Sequence, residues 1–157
     1  MTGNNTTTGT SVTVFAGEAG TISETLTNAG NYNATLACTG TSGLAGNALT
    51  IGAADTAIVC TQTNTRRSAT LTLRKTWVNA ILNNAATVST TGSINEATVV
   101  STANVANKTE AGTAVEVFAG EQITIGEIFG TGSPGDYNST LACTGNATPL
   151  AGNTLTV

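Results

Sequence analysis

Apolar and polar positions alternate along most of the chain. In 69–77 one face carries Ala69, Leu71, Leu73, Lys75 and Trp77, and the other carries Thr70, Thr72, Arg74 and Thr76. Side chains two apart share a face of a strand, so this spacing predicts β-structure. The same reading predicts strands over 10–16, 21–26, 33–39, 47–52, 57–64, 69–77, 86–91, 96–104, 113–119, 122–128, 138–144 and 153–157. Gly, Asn, Asp or Pro punctuate most gaps, as in Asn28-Ala29-Gly30-Asn31 and Pro134-Gly135-Asp136. At most a short helical turn is expected in 77–86. Strands at this spacing, with no long helical pattern, predict an all-β sandwich.

The alternation repeats. Residues 12–18 read VTVFAGE and 115–121 read VEVFAGE; 32–40 read YNATLACTG and 137–145 read YNSTLACTG; 44–51 read LAGNALTI and 150–157 read LAGNTLTV. Phe15 to Phe118, Tyr32 to Tyr137 and Leu44 to Leu150 give offsets of 103, 105 and 106 residues. Such a period is too long for a solenoid unit and matches one β-sandwich domain. Two incomplete copies are therefore expected. Residues 1–66 read as the C-terminal part of a first sandwich repeat, and 67–157 as the N-terminal part of a second. Segment 52–67 has no second copy and is expected to close the first module. Segment 69–80 has no earlier copy and is expected to open the second. The expectation is a window on a longer tandem array.

Three polar residues fall in the apolar phase. Lys75 lies between Leu73 and Trp77. Glu24 shares a face with Ile22 and Leu26, and its second copy, Glu127, with Ile123, Ile125 and Phe129. Asn64 follows Ile58, Cys60 and Gln62 on one face. Burying a lone charge costs several kcal/mol unless it is paired or neutralised.

In order along a module, these signals are a first strand with an inward Lys (71–77), an inward Glu ahead of a turn and Tyr (22–32, 125–137), and a last strand ending in Thr-Asn (58–64). The arrangement resembles the prealbumin-like repeats, of SpaA and Cna B-type, found in bacterial surface proteins, pilins and adhesin stalks. The resemblance implies Ig-like sandwich modules in tandem. It also implies an intramolecular isopeptide bond, with Lys75 as nucleophile, Glu24 or Glu127 as acid/base and Asn64 as electrophile. That chemistry needs a neutral amine and a protonated carboxyl group, which apolar surroundings favour. Lys75 and Asn64 fall in different modules, so one copy of the chain holds no complete trio. The plainer alternatives are a Lys75 stem packed on Trp77 with its head in water, an Asn64 that begins a turn, and a Glu24 turned to solvent by a bulge.

Repeats of this kind with a Cys in both strands imply a Cys38–Cys60 disulfide, which fits secretion. Two buried free thiols are the alternative. Cys143 copies Cys38 and is expected to stay unpaired in this chain.

Composition narrows the role. The chain has 157 residues, 9% charged and 4% aromatic, with no His. A Ser-His-Asp triad, a Cys-His pair and a His-ligated metal are thereby excluded. Five basic against nine acidic residues give a net charge of −4, and the few Arg and Lys are no nucleic-acid footprint. No apolar run reaches membrane-spanning length, and Met1-Thr2-Gly3-Asn4-Asn5 lacks the regions of a signal peptide, so an export signal is expected outside this chain. Roughly a fifth of the residues are Thr, which is strand composition rather than disorder. No catalytic residue, cofactor or metal is expected. The expected role is a structural repeat segment of an extracellular bacterial surface protein, a stalk, adhesin shaft or filament. Its partners would be neighbouring copies of the module or chain, joined by strand complementation. The alternative is an adhesin module that recognises a surface glycan or protein, marked by an exposed aromatic cluster.

Overall fold

The computed structural model describes residues 4–41, 43–131 and 134–157. Its elements are strands and two 3-10 turns, Ala29–Asn31 and Pro134–Asp136. The fold is all-β. It divides into two compact units between Arg66 and Arg67.

The described residues of the first unit form five strands: β1 (Ala19–Thr21), β2 (Tyr32–Thr39), β3 (Leu44–Ala45), β4 (Ala48–Thr50) and β5 (Val59–Arg66). They form a three-stranded sheet, β1-β4-β3, and a two-stranded ladder, β2-β5, both antiparallel. The long ladder runs from Tyr32↔Arg66 to Thr39↔Val59. Among the described residues of this unit, Ile51 is the one buried side chain. The apolar face of the strands is otherwise half covered.

The second unit has eight: β6 (Ser68–Leu71), β7 (Arg74–Trp77), β8 (Ala85–Thr91), β9 (Thr98–Thr102), β10 (Lys108–Ala111), β11 (Val115–Phe118), β12 (Gln122–Thr131) and β13 (Thr154–Thr156). Strands β13-β12-β8-β9 make a four-stranded antiparallel sheet. The ladders β6-β11 and β7-β10 continue one another, with a one-residue register shift between Val115↔Leu71 and Ala111↔Arg74. The Gly112 N–H donates to the Leu73 carbonyl (3.0 Å) across that break. Leu73 and Val117 from the ladders meet Val88, Val99, Ile123 and Ile125 from the sheet in one core. The burial alternation passes unbroken through the break: Leu71 half-buried, Leu73 buried, Lys75 half-buried, Trp77 buried. Lys75 therefore sits in the phase its sequence dictates.

The two copies of the repeat fold alike at their turns. Phe15 N donates to Glu18 Oε2 (2.9 Å), and Phe118 N to Glu121 Oε2 (3.0 Å). Gly17 and Gly120 follow at φ 88° and 84°, a region open to Gly. Their N–H groups reach the Ile51 and Val157 carbonyls at 2.9 and 2.8 Å. The β1–β4 register, Ala19↔Thr50, recurs as Gln122↔Thr156.

They differ where a partner strand differs. Residues 115–118 pair with β6, whereas 12–15 form no strand. Strand β12 pairs with β8 from Thr124 to Thr131, with a register shift after Phe129, whereas in the first copy only Ala19–Thr21 is strand. Conversely 32–39 is strand, and 138–144 is not. The strands expected over 10–16 and 138–144 are thus absent, and that over 21–26 is displaced to β1. A strand needs a neighbour to satisfy its backbone, and these segments have none. Segment 77–86 is not helical: it holds the end of β7, bends and a turn over 78–84, and the start of β8. Strand β10, with sequence KTEA, is unheralded by any apolar alternation. No helix among the described residues is long and apolar enough to cross a membrane.

Candidate functional site

In the second unit β7 and β12 bring Lys75 and Glu127 together from their inward faces. The Lys75 ammonium is ion-paired with Glu127 Oε1, and the two side chains are 13% and 21% exposed. The Nζ atom lies 4.4 Å from the Trp77 ring centroid and 5.5 Å from that of Phe129. Both positions are favourable for a cation over an aromatic face. Glu127 Oε2 accepts from the Ser139 hydroxyl at 3.3 Å.

Behind the pair stands an aromatic box. Trp77 meets Phe129 and Tyr137 edge-on, with centroids 6.0 and 5.5 Å apart, and Phe129 stacks on Tyr137 at 5.5 Å. Trp77 Nε1 donates to Ser101 Oγ (2.9 Å). The Tyr137 hydroxyl accepts from Asn84 Nδ2 (2.7 Å) and from Ile81 N (3.1 Å). These bonds hold the rings and, through them, the cation. The phase of 69–77 places Trp77 inward; alternation alone does not name Phe129 and Tyr137 as its neighbours, or Ser139 as the donor to Glu127. Phe129 had a signal, since it follows Glu127 by two on the same face.

In the first unit Asn64 Nδ2 donates to Glu24 Oε1 at 2.7 Å. The carboxamide oxygen, Asn64 Oδ1, is buried without a hydrogen-bond partner. Glu24 itself is exposed and lies outside any strand, which corrects the expectation of an inward strand position. Its stretch lacks the neighbour that β8 provides to Glu127.

Each unit thus holds two of the three expected groups. The same position of the repeat, Glu24 or Glu127, binds the amide in one and the amine in the other. The first unit contains no Lys.

Cys38 and Cys60 are directly opposite in the β2–β5 register and form a disulfide. Cys143 is a free, half-buried thiol packed against the core, and burial pushes its pKa up. Comparison with protein-family models, curated proteins and solved structures finds no match. The likeness to prealbumin-like repeats accordingly rests on the residues of this chain alone.

Proposed function

We propose that this chain is a structural segment of an extracellular bacterial surface protein, a stalk, adhesin shaft or filament of tandem Ig-like, prealbumin-like sandwich modules. The observation that carries the reading is the shared position of Glu24 and Glu127. One grips the Asn64 amide and the other the Lys75 amine. A complete module would set Lys, Glu and Asn around a single carboxylate.

Proton transfer from Lys75 to Glu127 within their contact would free the amine. Attack of Nζ on an Asn carboxamide carbon, with the Glu returning its proton to the leaving nitrogen and taking up the second proton that Nζ loses, would form an amide bond and expel ammonia. The Lys N–H, Asn C–N and new N–C bonds balance without an external reagent. Such a bond forms once and turns nothing over, which suits a staple rather than an enzyme. The Cys38–Cys60 disulfide supports an extracellular site. The aromatic cluster that would mark a ligand-binding module is turned inward here, with Trp77 only 2% exposed.

The test is an intact-mass measurement of native material under denaturing, reducing conditions. Linked or very large species, short of one ammonia per link, support the reading. A single species of 15.6 kDa that stays monomeric in native solution overturns it.

A further inference from the structure

Residues 32–39 and 137–144 read YNATLACT and YNSTLACT, and differ only at Ala34 and Ser139. In the first unit this sequence is β2, and it holds β5 over eight residue pairs. The flanking turns agree in both copies. A 3-10 turn leads into Tyr32 and into Tyr137, and Gly40 and Gly145 both leave at φ +81°. Yet 137–144 forms no ladder.

Beside it runs a cleft. Two cavities, of about 630 and 830 Å³, share walls at Arg74, Val88, Ile125, Leu141 and Ala142. Residues 69–77, from β6 through β7, are one bank and the segment after Tyr137 is the other. Core residues Val88 and Ile125 form the floor. A Cβ on Gly40 would lie 1.8 Å from the Ala57 carbonyl oxygen, just ahead of β5, whereas one on Gly145 meets nothing within 4 Å. The cleft has the place of β5 without its occupant.

We propose that this cleft takes strand 59–66 of a second copy of the chain, paired to 137–144 in the register of β2 and β5. The inference rests on the reading of the chain as a self-associating structural segment. The register sets Arg66 of the second copy opposite Tyr137, its Asn64 opposite Ser139 and its Cys60 opposite Cys143. Ser139 already touches Glu127, so the incoming Asn64 meets at Glu127 the carboxylate it meets at Glu24 in its own unit. Exchanging one ladder for another of nearly identical sequence leaves backbone pairing unchanged. It covers the apolar cavity wall, where Leu141 is 40% exposed beside Val88 and Ile125, and that burial drives the exchange.

Cys60 of the second copy arrives bonded to its own Cys38. The Cys143 thiolate attacks the Cys60 sulfur, the Cys143–Cys60 bond forms and the Cys38–Cys60 bond breaks. Cys38 leaves as thiolate and takes up the proton that Cys143 released. One disulfide is consumed and one formed, so no oxidant or reductant is needed.

The test uses the whole 157-residue chain, purified without reductant. The expected result is concentration-dependent association, with amide exchange over 137–144 slowed about tenfold or more and a Cys60–Cys143 cross-link in the peptide map. Cys143→Ser should lose the cross-linked species and keep both association and protection. Added to the Cys143→Ser protein, whose association is not cross-linked, a synthetic peptide of residues 57–66, with Ser in place of Cys60, should return it to monomer. An assembled chain whose 137–144 exchanges as fast as in the monomer, or whose cross-link joins other cysteines, overturns strand donation and leaves the structural reading standing. A chain that stays monomeric at every concentration overturns both.

Discussion

Val14 and Val117 hold the same place in the repeat, yet Val14 is 45% exposed and Val117 2%. Val117 sits on a strand paired with β6 and packs into the core of the second unit. Val14 has no strand partner. Val117→Ala is expected to cost about 2 kcal/mol through lost burial and the cavity left behind. Val14→Ala should stay within about 0.5 kcal/mol of the parent. Equilibrium denaturation of the two variants side by side checks this, and equal effects would contradict the burial assignment.

Trp77 is the single Trp of the chain, so its fluorescence reports the second unit alone. Trp77→Phe keeps an apolar ring but removes the Nε1 donor to Ser101. The expected loss is about 1–2 kcal/mol, from one buried hydrogen bond and its orphaned partner. Calorimetry should place that loss in the transition of the second unit.

Lys75 and Glu127 are expected to depend on each other. Glu127→Gln keeps the shape and leaves the ammonium beside Trp77 without its counter-charge. The cost should be about 1–3 kcal/mol, moderated by the partial exposure of both side chains. Lys75→Met added to Glu127→Gln should recover much of it, since an apolar chain suits the aromatic box. A double-mutant cycle reads the coupling, and additive effects would show that the pair contributes nothing.

Reduction of the disulfide should act on the first unit alone. The bridge closes a loop with a sequence separation of 22, worth about 3 kcal/mol in the chain-entropy treatment. A unit whose described residues include one buried side chain has little else to offset that loss. Added reductant should therefore unfold residues up to Arg66 while the Trp77 signal holds. A Trp77 transition that moves equally would refute this.

The Cys143 thiol titrates above the ordinary thiol range because burial disfavours its charged form. Alkylation at neutral pH should be slower than in an unfolded control and should accelerate only at higher pH. Since the folded pKa is raised, the linked stability is fully present below the unfolded thiol value. It is lost as pH rises through the folded value. An alkylation profile that coincides with the unfolded control would contradict this.

Much of this was legible in the residues. The phase of 69–77 placed Lys75 between Leu73 and Trp77, and the structure keeps it there, because face preference is a local property of alternation. The Cys38–Cys60 disulfide, by contrast, is what the resemblance to prealbumin-like repeats implies, and the structure forms it across the β2–β5 ladder. Periodicity does not name a partner, however. Residues 12–15 and 138–144 have strand sequences but find no neighbour, so they form none. Strand β10 was missed for the opposite reason: Lys108–Ala111 carries no apolar stripe and is recruited by β7. The contact of Tyr137 with Trp77 crosses a turn and the breadth of the unit, and only tertiary packing creates it.

The bridge between Cys38 and Cys60 also has a mechanical side. Pulled straight, a stretch with that separation of 22 residues would lengthen the chain by roughly 75 Å. With the sulfurs joined, tension entering along β2 passes across the bond and leaves along β5. Strands β3 and β4 and their connecting turn then lie off the path of the force. A tether made of such segments keeps that contour length in reserve under load, and yields the extra reach only where its surroundings are reducing.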